Sequence, residues 1–208
     1  MVLERFFIVN PFDQAWTLLK MPIVPGSVRR NYRAEREGPR RMDYYAFEDP
    51  VQFTGEFEDP ITRERLPMNA AFAPRERTQD AGVLSVEIDE KDDPQYDTIY
   101  RLHPRARAMF TERDMDNRPF MGLEEPEDGP AEYAASGVNT DDEYRRRGYA
   151  SALYDLASYI LDRRDGGNKA VLVPSSDQTG DGRRLWQSIY EDMEDDEEPR
   201  WRLRGDLG

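Results

Sequence analysis

The chain has no cysteine among its 208 residues. That excludes a disulfide framework, thiol catalysis and any thiolate zinc site. It has one histidine, His103, which excludes a multi-histidine metal site, so no metal is expected. Lysine is scarce: Lys20, Lys91 and Lys169 stand against 26 arginines, a skew that reads as coding bias rather than chemistry. Long apolar runs are missing too. Stretches such as Phe6 to Val9 and Val171 to Val173 fall far short of the ~20 residues that span a bilayer. Met1 to Asn10 carries Glu4 and Arg5 and lacks the apolar core of a signal peptide. The expectation is a soluble, cytoplasmic chain that does not engage a membrane. Positive charge is in deficit, with 29 basic against 43 acidic side chains and a net charge of −14. Phosphate neutralisation supplies most generic nucleic-acid affinity, so that sign argues against such a partner.

What is present divides into three regions of one domain. Residues 1–75 form an N-terminal elaboration rich in aromatics, proline and arginine. Arg29, Arg30, Arg33, Arg36, Arg40 and Arg41 make a basic stripe that reads as a solvated face, and residues 1–75 could also serve assembly partners. Phe6, Phe7, Phe12 and Trp16 read as core. Gln52 to Phe57 is extended, and Asp59-Pro60 after it is turn chemistry. In residues 76–130, Leu84, Val86 and Ile88 alternate as in a half-buried strand. Asp97 to Leu102 reads as a second strand and Arg105 to Asp114 as a short helix. Asp89 to Asp93 lacks the glycine and the terminal glutamate of a calcium loop. Glu124 to Pro130 reads as loop.

From residue 131 the pattern sharpens. Glu132 to Val138 predicts a strand, followed by a polar connection, Asn139 to Glu143. A helix follows, with Ala152, Leu153, Leu156, Ala157, Ile160 and Leu161 on one stripe. Lys169 to Val173 predicts a buried strand, which Pro174 stops. A second helix begins near Thr179 or Asp181 and buries Leu185, Trp186, Ile189 and Met193. Glu191 to Glu198, with seven acidic residues in eight, reads as a solvated face, and Trp201 to Leu203 as an edge strand. Strand, helix, strand and helix at these lengths imply an α/β domain with a mixed sheet flanked by helices.

The chemistry concentrates at Arg145-Arg146-Arg147-Gly148-Tyr149-Ala150, between strand and helix. A helix start offers unpaired backbone N–H groups and the positive end of the helix dipole, which together suit a pyrophosphate. Gly148 and Ala150 allow close approach, and three arginines raise the local potential.

Arg145-x-x-Gly148-x-Ala150 resembles the acetyl-CoA loop of the GNAT superfamily of acyl-CoA-dependent N-acyltransferases, Gln/Arg-x-x-Gly-x-Gly/Ala after the fourth strand. The resemblance covers about residues 131–190. Pro174 to Thr179, Asp181-Gly182 and Leu185-Trp186 also resemble acetyltransferase-like proteins encoded by tailed bacteriophages. The family likeness implies a GNAT-like fold whose acetyl-CoA-binding half is 131–208. It further implies acetyl transfer from acetyl-CoA, as cosubstrate, to an amine of a small molecule or a basic protein partner. Val138 would position the thioester, and Arg145, Arg146, Arg147, Gly148, Tyr149, Ala150 and Ser151 would hold the cofactor.

Many family members carry Asn-x-x-Ala-x-x-Leu-Tyr in the next helix, whose tyrosine protonates the CoA thiolate. Here Thr179, Gly182, Leu185 and Trp186 stand at those offsets, and an indole cannot supply that proton. Tyr190, Ser175 or Ser176 would replace the tyrosine, or catalysis is reduced or lost. The general base implied by the family is Glu132 first and Glu87 second. His103 titrates in the right range, but its neighbours Arg101, Pro104 and Arg105 mark it as a surface-loop residue. The alternative function is a non-catalytic protein of the same fold, such as a virion component.

Overall fold

The structure is a computed structural model that describes residues 23–31, 50–73, 82–89, 104–113, 130–163, 170–190, 200–201 and 207. Several expectations lie outside these residues. They are the strand at Asp97 to Leu102, His103, the aromatics Phe6 to Trp16, the arginines from Arg33 to Arg41, the acidic run Glu191 to Glu198, and the side chains of Ile189 and Tyr190.

Seven strands form one sheet in sequence order: β1 (Arg29–Arg30), β2 (Val51–Glu58), β3 (Arg65–Ala73), β4 (Val83–Ile88), β5 (Ala106–Glu112), β6 (Ala131–Thr140) and β7 (Ala170–Val173). Every neighbouring pair is antiparallel except β6 and β7, which are parallel. A 3₁₀ turn at Asp142–Tyr144 and the helix α1 (Tyr149–Asp162) join β6 to β7, and α2 (Gly180–Tyr190) follows. The mixed α/β class and the strand–helix–parallel strand unit are as the sequence predicts. Strands β2 and β3, from the region read as an elaboration, belong to the same sheet as the rest.

One expectation is overturned. Arg105 to Asp114 is not a helix: Ala106 to Glu112 is the strand β5, paired with β4 on one side and β6 on the other. Its alanines, arginine and methionine favour helix in isolation. Yet Ala106, Ala108, Phe110 and Glu112 are buried while the residues between them are half-buried, a period of two that only a strand satisfies. Tertiary pairing has overridden local propensity.

The core lies on the sheet face that carries Leu66, Met68, Ala70, Leu84, Val86, Ile88, Ala106, Ala108 and Phe110, with α1 packed against it. The predicted stripe of α1 is fully buried, but so are Tyr149, Ser151, Tyr154, Asp155 and Tyr159. Trp186 and Trp201 cover Tyr154, and Trp201 covers Asp155, whereas Tyr149 is covered by Phe57, Tyr144 and Asp59. The Tyr154 ring stacks on Trp201 at 4.6 Å between centroids and meets Phe110 and Trp186 edge-on at 5.0 and 5.8 Å. Trp201 Nε1 donates to the buried Asp155 carboxylate at 2.8 Å, and its backbone N–H donates to Leu172 O at 2.9 Å. A residue read as part of an edge strand thus ties the C-terminal region to both α1 and β7. Leu185 is partly buried against the same core. No helix among the described residues is long and apolar enough to cross a membrane.

Candidate functional site

Strand β6 is long and β7 is short. The β6–β7 pairing covers Ala131 to Ala134 against Ala170 to Val173, whereas β6 pairs with β5 as far as Thr140. From Ala135 onward, no described strand lies along the β7 side of β6. The parting begins at a β-bulge, since Met109 pairs with Gly137 and Phe110 with Ala135, leaving Ser136 extra. The Ser136 hydroxyl donates to Met109 O at 3.2 Å and accepts from Thr111 Oγ1 at 3.1 Å, which holds the bulge in place. A bulge bends its strand and sharpens the twist, so β6 keeps its pairing with β5 through Thr140 but parts from β7 where the strand turns.

Beyond the bulge, β6 is exposed. Val138 is in register with Ala108, which pairs with Val86, so it continues a core row of the sheet. It is nevertheless 41% exposed, and a Cβ added at Gly137 would meet nothing within 4 Å. Gly137 and Val138 therefore leave β6 open on its way to the loop before α1. Where β6 reaches that loop, Asn139, Thr140, Asp141, Asp142, Glu143 and Arg145 line an open depression of about 470 Å³.

The loop itself has two residues in the left-handed region, Arg146 (φ 62°) and Gly148 (φ 82°). Glycine adopts this geometry without the steric cost that a Cβ imposes. Gly148 is the N-cap of α1, and no side chain among the described residues caps that end. The first turn of α1 contains no acidic residue. Its leading N–H groups keep the unsatisfied, dipole-positive character of a helix start.

The three arginines diverge. Arg145 is exposed, pairs with Asp142 at 2.9 Å and donates from Nε to Thr140 O at 3.3 Å. Arg146 is exposed. Arg147 turns inward, its guanidinium 3.7 Å from the Asp59 carboxylate, so its charge is directed at the fold. The sequence did not separate these roles. Asp181, in the first turn of α2, has its carboxyl held below the usual range. The Arg184 hydrogen bond is the main cause, and the charges of Arg145 and Arg146 add to it. The start of α2 therefore lies within electrostatic reach of the loop.

The remaining candidates are scattered. Glu132 lies in the part of β6 covered by β7, roughly 27 Å along the strand from Thr140 at about 3.4 Å per residue. Glu87 stands between Asn69 and Arg107 in cross-strand register, on the face opposite Val86 and Ala108. Ser175 and Ser176 follow the end of β7; the Ser175 hydroxyl accepts the Asp177 N–H at 3.4 Å, and Ser176 is exposed. Tyr190 closes α2. Ser151 is buried and Ala150 half-buried in the first turn of α1. Trp186 is 1% exposed, and its indole hydrogen-bonds Tyr154. Burial raises the Tyr154 phenol, and that hydrogen bond only partly offsets it. Among the described residues, no group of three or more histidine, aspartate or glutamate side chains could hold a metal ion.

Sequence reasoning did not find Asp59, Glu64, Arg105 and Tyr144 as a group. Asp59 is fully buried; its Oδ1 accepts the Ile61 and Thr62 N–H groups at 2.8 and 3.0 Å, and its Oδ2 accepts the Tyr149 hydroxyl at 2.8 Å. Burial would raise the Asp59 carboxyl, but the hydrogen bonds from Thr62, Tyr149 and Ile61, with the Arg147 charge, hold it below its ordinary value. Tyr149 also hydrogen-bonds Arg105, which pairs with Glu64 at 3.0 Å. The Tyr149 phenol is pushed well above its usual value, first by burial and then by Asp59, with Arg105 opposing. Tyr144 lies under the guanidinium groups of Arg105 and Arg147, at 4.7 and 5.5 Å. The signal available in the sequence was the Asp59-Pro60 turn, which says nothing of a partner ninety residues away.

Compared with protein-family models, with characterised proteins and with solved structures, the chain finds no match.

Proposed function

We propose that this chain is an acetyl-CoA-dependent N-acetyltransferase of the GNAT type, with its cosubstrate along the exposed half of β6 and its pyrophosphate at the start of α1. The observation that carries the reading is the uncapped α1 N-terminus, entered through left-handed Gly148 directly after a strand whose second half has no partner on the β7 side among the described residues. The Arg145-x-x-Gly148-x-Ala150 pattern supports it. So does the fit of the residues to the group: backbone donors for the pyrophosphate, open space at Gly137 for close approach, and the exposed Val138 for apolar contact.

In this reading, the N–H groups at the start of α1 bind the pyrophosphate, with Arg145 and Arg146 adding charge. The β6 backbone near Val138 orients the thioester and polarises its carbonyl. The acyl group passes directly to a neutral amine, and proximity supplies much of the rate. Asp141, Asp142 and Glu143 beside the exposed strand favour a cationic amine or a basic protein. The setting is cytoplasmic or that of a virion.

One observation favours a second reading, a non-catalytic protein of the same fold. Trp186, at the position where the family carries its acid, is buried against Tyr154 and Trp201 and serves packing. Calorimetric titration with acetyl-CoA, followed by a thiol-release assay over mixed amines, separates the possibilities. Binding with release supports the enzyme, binding without release supports the second reading, and no binding overturns the enzyme.

A further inference from the structure

Resting on that reading, we infer that Asp59 is a positioning residue for the cosubstrate loop: through the Tyr149 hydroxyl and the Arg147 guanidinium, it fixes the backbone donors at the start of α1. Asp59 acts through other residues, since it is fully buried and meets the loop at the side chains of Tyr149 and Arg147. It ends the extended run of β2 in a tight turn, fully buried, and both carboxylate oxygens are assigned. Oδ1 closes its own turn through Ile61 and Thr62. Oδ2 reaches across to Tyr149 and lies 3.7 Å from Arg147, the residues that flank Gly148.

The division of labour explains three features together. A left-handed Gly148 has no side chain with which to fix its own geometry, and Arg146 before it holds a conformation that L residues rarely adopt. Such strain persists only where surrounding structure enforces it. Asp59 supplies that enforcement from both sides of Gly148. Arg105 continues the tie from Tyr149 to Glu64, and Phe57 packs on the Tyr149 ring at 4.4 Å. The first turn of α1 is thus anchored to the β2–β3 turn and to the start of β5. Arg147 is drawn inward by the same carboxylate, so the arginines that remain at the loop surface are Arg145 and Arg146.

Asp59→Asn is the informative substitution. The amide oxygen can still accept the Ile61 and Thr62 N–H groups, so the turn survives. The amide nitrogen cannot accept the Tyr149 proton or balance the Arg147 charge. Tyr149→Phe removes the same bond from the other side and serves where Asp59→Asn folds poorly. Two readouts on the full chain decide the matter. Amide hydrogen exchange should quicken at least tenfold at residues 145–150 in either variant, with β3 and β4 unchanged, and the double variant should add little to either single one. The acetyl-CoA dissociation constant should rise at least tenfold; if the chain turns over, KM for acetyl-CoA should rise with kcat largely kept. Exchange that is unchanged at 145–150, or that quickens uniformly across the sheet, overturns the inference. Loop exchange that responds in a wild-type chain that fails to bind acetyl-CoA keeps the loop-fixing role of Asp59 and removes the proposed function instead.

Discussion

At the start of α2, Thr179 accepts the Gly182 N–H on its side-chain oxygen at 3.2 Å and the Arg183 N–H on its backbone oxygen at 2.9 Å, and Asp181 adds negative charge to the first turn. At the start of α1, Gly148 has no side chain to offer, no other side chain among the described residues caps the turn, and no acid lies within it. Both helices pack on the same core, through Trp186 in one and the Leu153 to Leu161 stripe in the other. Their starts differ because Thr179 caps α2 through the Gly182 N–H, whereas α1 has no such cap among the described residues and is held by Asp59 through Tyr149 and Arg147. Capping stabilises a helix by about 1 kcal/mol. In a helix so thoroughly buried, its omission costs little of the total stability, and in the proposed function the open donors take the pyrophosphate.

The comparison predicts that changes in α2 act on stability and changes at the start of α1 act on binding. The largest effect is expected from Trp186→Ala. Removing a ring that is 1% exposed should cost roughly 3–5 kcal/mol, read as a lowered denaturation midpoint, whereas Trp186→Tyr should fold and keep turnover. An unchanged midpoint in Trp186→Ala would break the packing account of α2.

Next comes Gly148→Glu, which places a carboxylate where backbone donors must meet a pyrophosphate. Acetyl-CoA affinity should fall by at least a hundredfold, about 2.8 kcal/mol, since each 1.4 kcal/mol is tenfold. The left-handed φ of 82° adds roughly 1–2 kcal/mol of destabilisation. Gly180→Glu is the control at the other helix: its added Cβ meets nothing within 4 Å, and calorimetry should show affinity within a few-fold of wild type.

Thr179→Ala should cost about 1 kcal/mol in chemical denaturation by removing the α2 cap, with acetyl-CoA binding unaltered. A matching loss of affinity would mean that the two helix starts are not functionally distinct.

The smallest effect is in alkaline stability. Tyr149 titrates above its ordinary value when folded, so the folded state retains a proton that the unfolded chain releases near pH 10. The stability from this group is complete below that pH and is lost as pH rises toward the folded value. One group contributes at most about 1.4 kcal/mol per pH unit. Wild type should therefore lose stability between pH 10 and 11 slightly faster than Tyr149→Phe, followed by urea unfolding at each pH.

Much of the second half was legible because its signals are local. The alternation Leu84, Val86, Ile88 reports a strand by itself, and the stripe from Ala152 to Leu161 reports a helix. Thr179 or Asp181 marks the start of α2, and Leu185-Trp186 marks its buried side. β5 was misread because Ala106, Arg107, Ala108 and Met109 carry helical preference, and only pairing with β4 and β6 reveals their period. The loop was legible as a glycine-bearing turn before a helix, but not the fate of each arginine in it. Arg145, Arg146 and Arg147 look alike in sequence, and one buried carboxylate on a distant turn sorts them.

The sequence by itself determined which segments are strands and helices in residues 131–190, the absence of cysteine and multi-histidine chemistry, and the glycine at the start of α1, because backbone preference and side-chain period are properties of neighbouring residues. Only the tertiary structure decided that β6 outruns β7, that Ser136 forms a bulge where pairing ends, and that Asp59 holds Tyr149 and Arg147. Those outcomes depend on groups far apart along the chain, whose hydrogen bonds and charges exist only once the sheet has brought them together.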